Sequence, residues 1–343
     1  MLTTLQTGVP PFTHLSRLTD NHGVFEHALG DVPRRAHGYC VDDVARALVV
    51  AVCEPAPSGR LASMGETYLC FLEAAIASDG SAHNRMNGAG SWIDRAGHGD
   101  WWGRAIYSLG TAAVRAPLAS TRRRALTAFS RAARRTSPDL RAMVFAAIGA
   151  SEVLTVLPKL RSAQGLVADA VAMMRPTGDR GWPWPEPRLR YGNGAIPEAF
   201  IACGVATNDP ALTARGLDLL HFLLEIETDG GHFSVTGSEG RDRGERGPQF
   251  DQQPIEVATL ADACARAYDV TRDDRWLTLV RMAWDWFLGD NDSSTPMVDL
   301  ATGAGHDGLT RDGRNQNRGA ESTLAALRTF QQARRLLGAG RHV

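Results

Sequence analysis

Apolar residues recur at helical spacing along almost the whole chain, and the alternating Val/Ile/Thr/aromatic runs that would mark strands are scarce. That periodicity points to an all-α fold. It predicts helices near Val44 to Val52, Leu61 to Ala77, Gly103 to Val114, Ser120 to Arg135, Asp139 to Leu157, Leu160 to Met174, Ile196 to Ala206, Ala211 to Glu227, Pro254 to Val270, Arg275 to Leu288 and Ala320 to Leu337. One set is Ala/Gly-rich and nearly uncharged (ARALVVAV, GRAIYSLGTAAV, RAMVFAAIGASEVL, PEAFIACGVA); the alternate set is amphipathic (RRRALTAFSRAARR, RWLTLVRMAWDWFLG). A helix that is apolar all round is buried, and one with a charged face lies outside. Six inner helices alternating with five outer ones predict an (α/α)6 toroid of helical hairpins. The segment Phe12 to Leu18 is the candidate for part of the sixth outer helix.

Connections from inner to outer helices are short and carry turn residues, as in CEPAPSGR and ATNDPA. Those from outer to inner helices are long: Ser78 to Trp102, Arg175 to Ala195, Thr228 to Gln253 and Asp290 to Gly319. Structureless loops beyond about 12–15 residues are uncommon in compact domains and usually functional. In a ring all four emerge on one face, which is the expected active-site face. No linker or shift in composition divides the 343 residues, so one toroid domain over 1–343 is expected.

A near-balance of 37 Lys+Arg against 38 Asp+Glu argues against nucleic acid or an anionic membrane as partner. No secretory leader or spanning apolar stretch is visible, so a cytoplasmic protein is expected. The cysteines, Cys40, Cys53, Cys70, Cys203 and Cys264, are widely spaced, as suits free thiols in a reducing compartment. Motifs for nucleotide, dinucleotide, zinc and serine-hydrolase chemistry are lacking, and neither a cofactor nor a metal is expected.

Carboxylates stand at or just before the inner helices: Asp42 and Asp43 in GYCVDDVARAL, Asp100 in HGDWWGRA, Glu186 in GWPWPEP, Asp251 in FDQQPIE and Glu321 in GAEST. Glycoside cleavage needs two carboxyl groups, one protonated and one ionised. Asp43, Glu186 and Asp251 are the predicted catalytic acids, converging on one cavity, with inversion as the favoured outcome. The plainer account of the Asp pair is a helix cap plus an ion pair with Arg46.

A pyranose has an apolar face and a polar rim, which suits flat aromatic walls beside hydrogen-bonding groups. The predicted substrate-binding set is accordingly Tyr39, Asp42, Asp100, Trp102, Arg104, Trp182, Trp184, Tyr191, Asn193, Gln252, Gln253, Asn317 and Glu321. For the tryptophans, packing of the loops onto the ring is the alternative. The segment PPFTHLSRLTDNHGVFEHA is a candidate cover for the mouth, with Asp20 and Glu26 as weaker candidates.

In the stretches LTDNHGVFEHALGDVPRRAHGYCVDDVARAL, GRAIYSLG, WPWPEPRLRYGNGAIPEAF, DQQPIEVATLADA and GAESTLAAL the chain resembles a bacterial family of helical-toroid, glycosidase-like proteins. That family is related to six-hairpin glycosidases and often accompanies sugar-transfer and mannoside-processing genes. The resemblance implies a glycoside hydrolase acting on an oligosaccharide, with a mannose-type hexoside favoured. One block departs from the family pattern: Gly192 stands where a carboxylate is expected, whereas Glu186 is retained. Two other functions stay open. A sugar epimerase or isomerase would need a proton-shuttling histidine such as His37 or His98, and a non-catalytic carbohydrate-binding protein would need none.

Overall fold

The computed structural model describes residues 11–175 and 181–338; positions 176–180 of the predicted 175–195 loop lie outside the described residues. Six inner helices are present: α2 (Val41–Cys53), α4 (Asp100–Arg115), α6 (Leu140–Val156), α8 (Ala195–Thr207), α10 (Pro254–Thr271) and α12 (Ala320–Leu337). They alternate with outer helices α3 (Gly59–Ala75), α5 (Ala119–Ala132), α7 (Arg161–Met173), α9 (Pro210–Glu227) and α11 (Arg275–Leu288). Each inner helix packs on the next, and α12 packs back on α2, so the ring closes. The sixth outer position is taken by the short α1 (Thr13–Leu18), which packs on α12 and α3. This is the (α/α)6 toroid.

The small residues of the inner set have a steric reason. A Cβ on Gly103 would lie 2.2 Å from the Ala142 carbonyl oxygen, and one on Gly149 would lie 2.5 Å from that of Ile106. Helices α4 and α6 therefore touch backbone to backbone, a spacing that larger side chains would wedge apart. Near their C-terminal ends the charges left inside the ring are paired. Arg266 bonds both Glu152 and Glu198 at 3.0 Å, and Arg115 holds the other Glu152 oxygen at 2.9 Å.

The long loops carry two-stranded antiparallel pairs. These are β1 (Ala28–Leu29) with β2 (Val32–Pro33), β3 (Tyr39–Cys40) with β4 (Arg85–Met86), and β5 (Thr228–Asp229) with β6 (His232–Phe233). The last loop adds β7 (Val298–Asp299) with β8 (Ala304–Gly305), and β9 (Leu309–Thr310) with β10 (Gly313–Arg314). The β3–β4 pair joins the chain ahead of α2 to the loop ahead of α4, and the Val41 N–H donates to the Asn84 carbonyl at 2.9 Å. The start of α2 is thereby held in place. Among the described residues no helix is long and apolar enough to cross a membrane, and all five cysteines are free.

Candidate active site

Helix α2 begins three residues earlier than its periodicity suggests, because Asp42 and Asp43 lie in its first turn. The cap position belongs to Cys40, and neither aspartate caps the helix. Both carboxyls face a cavity of about 420 Å³ at the long-loop end of the ring. Asp100, the first residue of α4, and Glu321, in the first turn of α12, line the same space. Inner-helix N-termini favour negative charge, and three of them deliver carboxylates here. Tyr191, Gln253 and Arg104 complete the predicted residues found in this cavity.

The two adjacent aspartates occupy different surroundings. Asp43 is buried; its Oδ1 accepts from Arg46 Nη1 at 2.7 Å and its Oδ2 from the Cys40 thiol at 3.1 Å. Arg46 also reaches Glu321 at 2.7 Å. Burial pushes the Asp43 carboxyl up to about 7; Arg46 opposes that shift and the Glu321 carboxylate adds to it. Asp43 thus carries a proton for much of the time near neutral pH. Asp42 is half-buried and lies 3.3 Å from Arg104 Nε, a cationic partner suited to an ionised carboxylate. Burial also raises the Asp100 carboxyl, with Arg104 pulling the other way.

The other two predicted catalytic acids do not line the cavity. Glu186 is buried against Arg141, which donates from Nε to Oε1 at 3.1 Å and from Nη2 to Oε2. Arg141 also donates to the Tyr191 carbonyl and, at 3.2 Å, to Asn193 Oδ1. Glu186 therefore braces the Tyr191 turn. Asp251 is exposed on the loop before α10. The expected convergence of Asp43, Glu186 and Asp251 is replaced by that of Asp42, Asp43, Asp100 and Glu321.

The predicted tryptophans and Tyr39 are also absent from the cavity. Trp184 is fully buried beside Phe222, Trp182 packs edge-on to the same ring, and Trp102 is buried with its indole N–H on the Gly80 carbonyl at 3.1 Å. These indoles fasten loops to the ring, and rings without exposed faces cannot stack on a sugar. Tyr39 is likewise buried, stacked on Phe25 and bonded to Asp20 at 2.7 Å. Buried Gln252 bonds Asp292, and Asn317 accepts the Gly30 N–H at 3.1 Å, tying the last long loop to the N-terminal hairpin. Asn193 is buried, spending its side chain on Arg141, the Arg190 N–H and Glu256.

Several lining residues carried weaker signals in the sequence or none. Glu26 and His27, from the predicted covering segment, form one wall, where Glu26 pairs with Arg85. Asp307 lies in the last long loop and accepts the Gly319 N–H at 2.6 Å and the Ser322 hydroxyl, so it anchors the start of α12. Among the described residues Glu26, Cys40 and Asp43 are near enough to share a cation. Arg85 already pairs with Glu26 and Arg46 with Asp43, so the donor set is engaged by guanidiniums and favours them over a metal. Neither His37 nor His98 lines the cavity.

Behind Tyr191, Glu256 accepts the Gly192 N–H at 2.6 Å and the Asn193 N–H at 3.2 Å. Burial raises its carboxyl from 4.5 to about 8, helped by the nearby Glu227 carboxylate and opposed by those donors. Burial similarly raises Glu227 to about 7. Between about pH 4.5 and 8 the folded chain retains protons that the unfolded chain has released, so stability declines as pH rises through that window. The melting temperature should be several degrees higher at pH 6 than at pH 8.5, and Glu256→Gln should flatten that slope. A flat wild-type profile would mean that these carboxyls are ionised throughout.

The (α/α)6 ring is a fold that the chain shares with solved enzymes that act on sugars. Neither a family model nor a curated protein matches the chain. Among solved structures it is similar to a sugar epimerase from a ruminal bacterium, with TM-score 0.71, 13% identity, and coverage of 100% of this chain and 99% of that one. A cellobiose 2-epimerase from Bacillus thermoamylovorans matches with TM-score 0.71 and 10% identity over 94% of this chain and 96% of that one. A GH76 α-mannanase from Bacteroides thetaiotaomicron matches with TM-score 0.63 and 10% identity over 93% of each chain. At such identities the likeness is one of fold.

Proposed function

We propose that the chain is a glycoside hydrolase whose acid–base pair is Asp43 and Asp42. The observation that carries this reading is the split in environment between two neighbouring carboxyls facing one cavity. Pairs of titratable groups with contrasting surroundings mark acid and base assignments. Asp43, protonated near neutrality by its burial, gives its proton to the departing glycosidic oxygen. Asp42, beside Arg104, acts as the carboxylate that activates water or meets the anomeric carbon. Asp100, Gln253 and Glu321 offer acceptors and donors to sugar hydroxyls. A mannose-type substrate fits both the sequence resemblance and the presence of an α-mannanase among the structural relatives.

One observation favours a second reading. His27 lines the cavity with Nε2 3.6 Å from Glu26, and sugar epimerases share the fold. An imidazole there is a candidate to move a proton on an open-chain sugar. A panel of α- and β-linked oligosaccharides, assayed for new reducing ends, tests the hydrolase proposal. Release from at least one linkage is expected, and the anomer formed first tells inversion from retention. Binding across the panel without release would sink the hydrolase and leave an epimerase or a binding protein.

A further inference from the structure

Arg104 is 5% exposed, and its Nη2 meets no hydrogen-bond acceptor among the described residues. Its Nε lies 3.3 Å from Asp42, and its guanidinium carbon lies over the Phe145 ring at 3.9 Å. Beside Nη2 the wall is Gly192. A Cβ built there would have only Phe145 Cζ at 3.7 Å and Arg104 Nη2 at 3.9 Å as neighbours, both ordinary contact distances. The glycine therefore leaves a notch with room for one added carbon beside Nη2, adjoining Tyr191 and Arg104, which line the cavity. The Gly192 N–H is bonded to Glu256, so the notch has a fixed backbone floor.

We infer that this notch is a specificity subsite, in which Arg104 Nη2 donates to the exocyclic hydroxymethyl oxygen of a neutral hexose. The inference rests on the reading that the cavity binds a sugar. A group standing one carbon off the pyranose ring matches a notch with room for one added carbon, whereas a ring hydroxyl is held too close to the ring to enter it. A neutral acceptor is selected over an acidic one because Arg104 already lies 3.3 Å from Asp42 and shares the cavity with Asp100 and Glu321. The cavity as a whole presents six carboxyls against three guanidiniums, a balance that repels a uronate or a sugar phosphate. A site built to bond a hydroxyl rejects the analogue lacking it, because the buried donor is then left unpaired.

Matched hexoside, 6-deoxyhexoside and uronide substrates test this. The wild type should favour the hexoside over its 6-deoxy form by about 10²-fold or more in kcat/KM, with the uronide no better than the 6-deoxy sugar. Gly192→Asp suits a backbone at φ 58°, a region that Asp tolerates better than most residues, and its carboxylate would fill the notch and pair with Arg104. That variant should stay folded and lose the hexoside preference. Arg104→Lys, which keeps a cation near Asp42 but removes the planar fork, should lose it too. Equal use of hexoside and 6-deoxyhexoside by the wild type, or preference for the uronide, would overturn the inference. If nothing is cleaved, the same ranking in dissociation constants by calorimetry decides the inference separately from the hydrolase reading. No binding of any of the three sugars would overturn it along with that reading.

Discussion

Replacing Asp43 by Asn is expected to lower turnover of a cleaved glycoside about 10²–10⁴-fold, the usual worth of a positioned general acid. The substitution keeps the size and one acceptor for Arg46 but cannot carry the proton. Its cost in stability should be small, because burial already holds Asp43 protonated for much of the time near neutrality and an amide is neutral as well. A glycoside with a highly acidic aryl leaving group needs little protonation, so on that substrate the loss should shrink sharply. The same reasoning gives the wild type an alkaline limb near pH 7 in kcat/KM, absent from the variant. Near wild-type turnover by a folded Asp43→Asn protein would assign this aspartate to the Arg46 ion pair alone, and the acid would then be sought at Asp100.

The largest loss of stability is expected from Arg141→Met. Arg141 gathers Glu186, the Tyr191 carbonyl and Asn193 in a buried site, and removing it strands the Glu186 carboxylate. Breaking a buried pair in this way costs about 3–5 kcal/mol, chiefly through the charge left behind. Urea denaturation should show that drop, and adding Glu186→Gln to Arg141→Met should recover much of it. Glu186→Gln alone should be milder, because the amide keeps one acceptor for Arg141. If it instead abolished turnover in a fully stable protein, Glu186 would be acting on substrate rather than bracing the Tyr191 turn.

These contrasts reflect what a sequence encodes locally. The ring was readable because an inner helix of a toroid must be small and apolar on all sides, as GRAIYSLG and RAMVFAAIG are, and an outer one need not be. Asp42, Asp43, Asp100 and Glu321 were readable for a related reason: inner-helix N-termini meet at one end, so residues there share a cavity whatever their separation along the chain. Helix α1 left little trace, since its six residues are too few to establish a period.

The long loops hid more. In WPWPEP the prolines imply extended backbone, yet they do not say which way an indole turns, and Trp184 turns inward onto Phe222. Glu186 looked catalytic because its partner, Arg141, lies on α6, and no local pattern links the two. Glu26 and Asp307 reach the cavity from loops without periodicity, where position in the chain gives little guide to position in space.

Running the reaction in D2O and following it by NMR shows whether the paired aspartates cleave a glycosidic bond. Cleavage gives anomeric signals from a newly freed reducing end, no deuterium at C2 of the sugar, and loss of both substrate consumption and product signals in Asp43→Asn. Deuterium appearing at C2 with every glycosidic bond intact would contradict it and identify an epimerase or isomerase in its place.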